Sequence, residues 1–392
     1  MKTKILFTLL FFACRIHYLY GQTNLQIAPE TLATPEKNGI WLQPAQNTKA
    51  QPIWGFANGI RIGIAPLGGP RGLIRIYTPY LEHDEFVVTN FIAFEPIDKA
   101  KNNRGLSELE WSQLDNVRGK RFWSGNTPEA PSFPNQYYPA HGVIAKENGV
   151  ETLTVYFFCE TFDNGADIYV RTKFTEGKPY EFELTTYTTE ESDELNRFIL
   201  TATMGNKARL RTLHLADGKT KEAGQLWPSY KDSNFTEHNH TPVAEMIKDK
   251  NGGVWFIASP DEKDPTKAVY AEDTHTHWKY TGKKATQYWY CSNPSNELEG
   301  VVNGRYTYWA SKSPIPGGIA YENFELTEPF QSGQSYIFGI TPLSPEELIN
   351  HIYEIRTDYF LGRTSFPPYL SPLLFLIYRT EKDKRWIKIR KG

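Results

Sequence analysis

The stretch Tyr180-Glu181-Phe182-Glu183-Leu184-Thr185-Thr186-Tyr187-Thr188 decides the fold class. Tyr180, Phe182 and Leu184 fall on one side of an extended chain, and Glu181, Glu183 and Thr185 on the other. Successive strand side chains point to opposite faces, so this period of two predicts a strand with one face buried and one wet. Ile168, Val170 and Phe174 against Tyr169, Arg171 and Lys173 repeat the pattern just upstream. One-sided burial of this kind marks antiparallel sheets.

Working outward, comparable runs recur along most of the chain. Arg61 to Ala65, Leu73 to Tyr77, Phe86 to Phe94 and Thr152 to Cys159 precede the deciding stretch. Phe198 to Met204, Leu210 to Leu215, Val254 to Ile257, Ala285 to Tyr290, Tyr306 to Ala310, Ile319 to Leu326 and Ser335 to Ile340 follow it. Asn164-Gly165, Asp217-Gly218, Asn251-Gly252 and Asn303-Gly304 read as turns between strands. The expectation is an all-β fold, a large antiparallel β-sandwich over residues 51–343. Ser344-Pro345-Glu346-Glu347 is a capping box with proline at the first helical position, and Leu348, Ile349, Ile352 and Ile355 follow at helical spacing. A helix to about Tyr359 is expected, with a tail to residue 392.

The chain's start reads as an export signal over residues 1–22. Lys2 and Lys4 precede the apolar run Ile5 to Ala13, and Leu19-Tyr20-Gly21 offers a cleavage site. The protein is therefore expected outside the cytoplasm, periplasmic or extracellular. Phe11-Phe12-Ala13-Cys14 only loosely resembles a lipoprotein box, and bulky Phe12 argues against a lipid anchor at Cys14. Residues 23–50, polar and rich in proline, read as an extended lead-in. Cys159 and Cys291 remain beyond the signal, either bridged or buried as free thiols.

The 392 residues carry 43 basic and 45 acidic side chains, and 14% of the chain is aromatic. That balance leaves no basic stripe for nucleic acid. No apolar stretch reaches the ~18–20 residues of a membrane-spanning helix. Neither a nucleophile-elbow motif, a C-x-x-C pair nor a phosphate-cradling loop is present.

Three groups of residues could carry chemistry. The first spans Pro66 to His141: Arg71 in a Gly-rich turn, Arg104 near Glu108 and Glu110, and Tyr138 beside His141. Guanidinium groups bind oxyanions bidentately, so Arg71 and Arg104 could hold an acidic sugar. Tyr138 and His141 could serve as acid and base. Against this, the segment could simply cover a sheet edge, with Arg104 paired locally to Glu108. If Glu108 and Glu110 lie on a strand, they share a face about 7 Å apart, a spacing used in glycoside hydrolysis. The second group is two H-x-H pairs, His238/His240 and His275/His277, with Glu237, Glu272 and Asp273 nearby. On strands each pair converges on one side, so a divalent metal is one reading and sugar hydroxyls another. The third is aromatic: Trp123 after Arg121, and Trp278 after His277, are candidate sugar platforms. Glu322 and Glu325 are expected on opposite faces of their strand.

Gly318 to Ile340 carries Tyr321-Glu322-Asn323-Phe324-Glu325, then Pro329-Phe330, then Gln334 to Gly339. It resembles the closing strand pair of the galactose-mutarotase-like β-supersandwich domains. Mutarotases, several polysaccharide lyases and accessory parts of glycosidases use that architecture, so the resemblance implies work on a polysaccharide or oligosaccharide. It supplies no catalytic set. The expected function is β-elimination on a uronate-containing polysaccharide. Arg71 and Arg104 would neutralise the carboxylate, His141 would be the base and Tyr138 the acid. A non-catalytic glycan-binding protein and a two-carboxylate hydrolase are the alternatives.

Overall fold

The computed structural model describes residues 32–67, 69–129, 138–204, 209–260, 269–270, 272, 285–308 and 311–358. Two large antiparallel sheets pack face to face. The ten-stranded sheet runs in the order 36–38, 41–43, 53–56, 61–63, 73–77, 88–98, 195–204, 320–327, 299–305, 239–242. The other has eleven strands, its central path running 220–222, 212–214, 254–259, 286–291, 334–341, 181–188, 168–175, 150–159, 122–125. The expected sandwich is therefore present.

The alternation that predicts these strands also builds the core. Phe182, Leu184, Val170, Val155 and Phe157 point inward from one sheet. Ile74, Ile92, Phe94, Phe198, Leu200 and Phe324 meet them from the other. Polar contacts cross between the sheets, and two of them lie in the core. Trp289 Nε1 donates to the Phe324 carbonyl at 2.8 Å, and Asn90 Nδ2 donates to Gln287 Oε1 at 2.7 Å. A buried hydrogen bond is directional, so these two fix how one sheet sits on the other where apolar packing alone would allow slippage. Gly300 serves the same packing: a Cβ there would lie 2.6 Å from the Phe256 ring, which stacks on Phe324. Trp289→Phe keeps most of the ring volume but loses the cross-sheet bond. It is expected to cost about 1–2 kcal/mol in urea unfolding; an unchanged midpoint would mean that the bond contributes nothing.

Two expectations change, and one open alternative is settled. Part of the lead-in is sheet: Glu36–Asn38 and Trp41–Gln43 form a hairpin at one edge of the ten-stranded sheet. Trp41 is fully buried there, which is the anchoring the prolines concealed. Asn303-Gly304 is no turn but lies inside the strand Glu299–Arg305, opposite an irregularity in its partner. A glycine suits that place because Ile319 and Trp227 crowd it, each 2.9 Å from where a Cβ would be. Cys159 and Cys291 are buried free thiols, not a bridge.

The helix runs Pro345–Asp358. Its capping box forms as the sequence predicts: Ser344 N–H donates to Glu347 Oε2 at 2.8 Å, and Glu347 N–H to Ser344 Oγ at 3.2 Å. Leu348 and Ile352 pack on Ile247, Ile257 and Tyr288, covering part of the outer face of the eleven-stranded sheet. Among the described residues no helix is long and apolar enough to cross a membrane. The segment 1–31 and the tail 359–392 lie outside the described residues.

Candidate functional site

The outward face of the ten-stranded sheet gathers the charged side chains. Cross-strand register places Glu95 opposite Ile199, Thr201 opposite Glu325, Glu325 opposite Val301, and Val301 opposite His240. Directly opposed residues share a face, so these all point away from the core. The connection after Val88–Asp98 then folds back along that strand. Gly105 N–H donates to the Pro96 carbonyl at 2.8 Å and Ser107 N–H to the Phe94 carbonyl at 3.1 Å. This return carries Arg104 over the row.

Arg104 lies between two buried carboxylates. It bonds Glu325 Oε1 at 2.8 Å through Nη2 and makes a close ion pair with Glu95. Thr201 Oγ1 donates to the same Glu325 oxygen at 3.2 Å. Glu108, the local partner in the alternative reading, is not involved: the antiparallel return brings Arg104 to Glu95 instead. Burial raises the Glu95 carboxyl against the pull of Arg104, and the neighbouring Glu325 charge adds to the rise. The attraction of both carboxylates outweighs burial at Arg104, whose own pKa is raised. Glu325 Oε2 is buried and has no hydrogen-bond partner among the described residues.

His238 and His240 stand beside this cluster, both exposed. His240 Nδ1 is 3.0 Å from Glu299 Oε2. The His238 imidazole is pushed below its ordinary value, first by loss of water and then by the positive charges of Arg104 and His240, with Glu325 opposing. Its neutral form, which can accept a proton, is thereby favoured. Among the described residues no three His, Cys, Asp or Glu side chains gather as a metal site. His275, His277 and the candidate platform Trp278 lie outside the described residues.

The other candidates are elsewhere. Arg71 donates to Asp115 at 2.6 and 3.0 Å and to the Val117 and Gly119 carbonyls at 3.0 and 2.8 Å. Arg121 bonds the same carboxylate at 2.6 Å. Burial pushes Asp115 up, but these two arginines hold it well below the usual carboxylate range. Arg71 thus staples the Gly-rich turn to the loop below it. His141 Nδ1 donates to the Pro44 carbonyl at 2.6 Å, and Gln43 occupies the other ring nitrogen. His141 is tied to strand 41–43 and its neighbour Pro44, and Arg104 lies over strand 88–98; three strands separate the two, about 19 Å of sheet. Tyr138 is exposed near His141, and Trp123 stacks on Phe158 on the opposite sheet. The structure therefore brings Arg104 together with His238 and His240, and leaves Arg71, Tyr138, His141 and Trp123 apart from them. Glu108 and Glu110 also part company. Glu110 accepts from the Leu106 and Asp163 amides, both at 2.9 Å, whereas Glu108 faces Arg118 and Arg305.

A separate cavity of about 590 Å³ is lined by Cys291, Ser295, Glu297, Glu328 and Gln334, among others. Glu328 is already used by the Ser295 amide at 2.8 Å and the Tyr336 hydroxyl at 3.0 Å. Burial pushes the Cys291 thiol up to about 12, so it is no nucleophile at neutral pH. The outer-face cluster has the better chemistry.

Sequence reasoning missed Glu95, Thr201 and the outward side of Glu325. The signal for Glu95 was available: it is the lone charge inside the apolar run Phe91 to Ile97. No protein-family model matches the chain, and no curated protein matches it in sequence.

Proposed function

We propose that the protein is carbohydrate-active, with its site on the outer face of the ten-stranded sheet around Arg104 and His238. The observation that carries this reading is an exposed imidazole, its pKa pushed down, beside a guanidinium anchored on two buried carboxylates. β-Elimination on a uronate needs those parts. The proton next to the sugar carboxylate becomes acidic when that carboxylate's charge is neutralised, and a neutral base then removes it. Arg104, whose side chain is 28% exposed, can meet the carboxylate. His238 takes the proton. The electron pair forms the ring double bond as the glycosidic oxygen leaves, and protonated His240 gives that oxygen a proton. This assignment moves the base from His141, whose ring nitrogens are both occupied, to His238.

The pH dependence follows in sign. A histidine base works when deprotonated, and His238 is pushed below 6.5. The acidic limb of kcat/KM is therefore expected below pH 6.5. The test of the reaction is a panel of uronate-containing and neutral polysaccharides, followed by ultraviolet absorbance of unsaturated uronate and by reducing ends. A rise in both on an acidic substrate supports elimination. Reducing ends alone would replace it with hydrolysis. Silence in both would overturn an enzymatic reading.

A further inference from the structure

Three residues along the same strand from Glu325, the outer face carries a second polar cluster. The irregularity opposite Asn303 and Gly304 turns Glu322 outward, against the expectation that Glu322 and Glu325 face opposite ways. Glu322 Oε1 is 3.2 Å from Arg305 Nη1. Glu108 faces the same pair from the connection that carries Arg104. The Arg305 guanidinium lies 4.7 Å from the centre of the Phe235 ring. Arg305 Nε is buried without a hydrogen-bond partner among the described residues.

Phe235 is held there by its own segment. Thr236 N–H donates to the Gly304 carbonyl at 2.9 Å, and Gly304 N–H donates back to Thr236 Oγ1 at 2.7 Å. The Tyr230 hydroxyl pins the preceding turn through the Asn234 carbonyl at 2.6 Å. The ring is nevertheless 48% exposed. An apolar ring kept half in water costs free energy unless something covers it. Its ring carries the Arg305 guanidinium, which in turn pairs with Glu322 and faces Glu108, and such groups bond hydroxyls. Flat apolar area edged by such donors and acceptors suits a sugar ring, with carbon–hydrogen bonds on its faces and hydroxyls around its rim.

We infer that Phe235, Arg305, Glu322 and Glu108 form a second saccharide subsite beside the Arg104–His238 site, so that the ligand is an extended chain. Three residues of strand separate the two clusters by about 10 Å. A single pyranose ring cannot bridge that gap, whereas a linked chain can. The inference rests on the function proposed above and extends it to the length of the substrate.

The experiment compares the full chain with Phe235→Ala and Phe235→Trp. The probes are oligogalacturonates and oligomannuronates of two and six residues, with a glucan hexamer as the neutral control. Cleavage kinetics and retardation in gels containing the parent polymer are read together. Phe235→Ala is expected to raise KM, or to weaken retardation, about fivefold more for the hexamer than for the dimer, the loss of one aromatic contact. Phe235→Trp should restore the difference. Cleavage that ignores both chain length and Phe235 would overturn the subsite and leave the reaction standing. Retardation that depends on Phe235 without cleavage would do the reverse. Neither cleavage nor retardation on any probe would overturn both.

Discussion

His238→Ala is expected to lower kcat about a hundred- to a thousandfold in the proposed elimination, with KM changed little. Removing a general base typically forfeits catalysis on that scale. The effect should exceed that of any other single change on this face, because the imidazole is the proposed base and its neutral form is favoured beside the guanidinium. The variant should also lose the acidic limb below pH 6.5, since that limb belongs to the missing imidazole. His141→Ala provides the comparison. It removes the contacts to Pro44 and Gln43, so it should lower stability and leave the limb in place. Full turnover in His238→Ala, or a limb that survives it, would remove His238 from the mechanism.

Arg104→Ala is expected to cost about 3–5 kcal/mol of stability, the usual penalty when one partner of a buried ionic cluster is removed. Glu325 is fully buried and Glu95 nearly so, and both would lose their shared counter-charge. The sign with pH is fixed by Glu95. Its carboxyl is already raised in the folded protein, by burial first. Removing the guanidinium raises it further. A carboxyl raised on folding stabilises the folded state below its unfolded pKa and loses that contribution as pH climbs. Urea unfolding should therefore show a larger loss at pH 8 than at pH 5. Adding Glu95→Gln and Glu325→Gln should recover much of the loss at pH 8. An Arg104→Ala variant as stable as the parent at both values would mean that the cluster is solvated.

What could be read from the chain follows from the range of each interaction. Strand alternation is a property of neighbouring residues, so Tyr180 to Thr188 announces its own inward face, and the capping box at Ser344 announces its helix. The site is different because its parts meet through sheet order. Glu95, Thr201, Glu325 and His240 come from four strands whose adjacency no local pattern encodes. Proximity in sequence misled for the same reason. Arg71, Tyr138 and His141 fall in one region of the chain, yet Arg71 and His141 are spent on staples between loops or edges and Tyr138 stands exposed. His238 and His240 were visible because a strand keeps residues two apart on one side. Glu322 was placed wrongly because one irregular residue in a ladder reverses the alternation, and only Gly304 hinted at it.

The two buried thiols make the sandwich a pair of internal clocks. Cys159 and Cys291 sit in the main core, 3% and 2% exposed, so a thiol reagent reaches either only when the structure around it opens. Cys291 borders the loop-lined cavity at Ser292 and Glu328, whereas Cys159 pairs with Phe122 inside the sheet. Cys291 should react first, through a local opening of those loops. Cys159 should react at the rate at which the sheets themselves separate. One unmodified protein then reports two openings, with no label built into the outer face of the ten-stranded sheet.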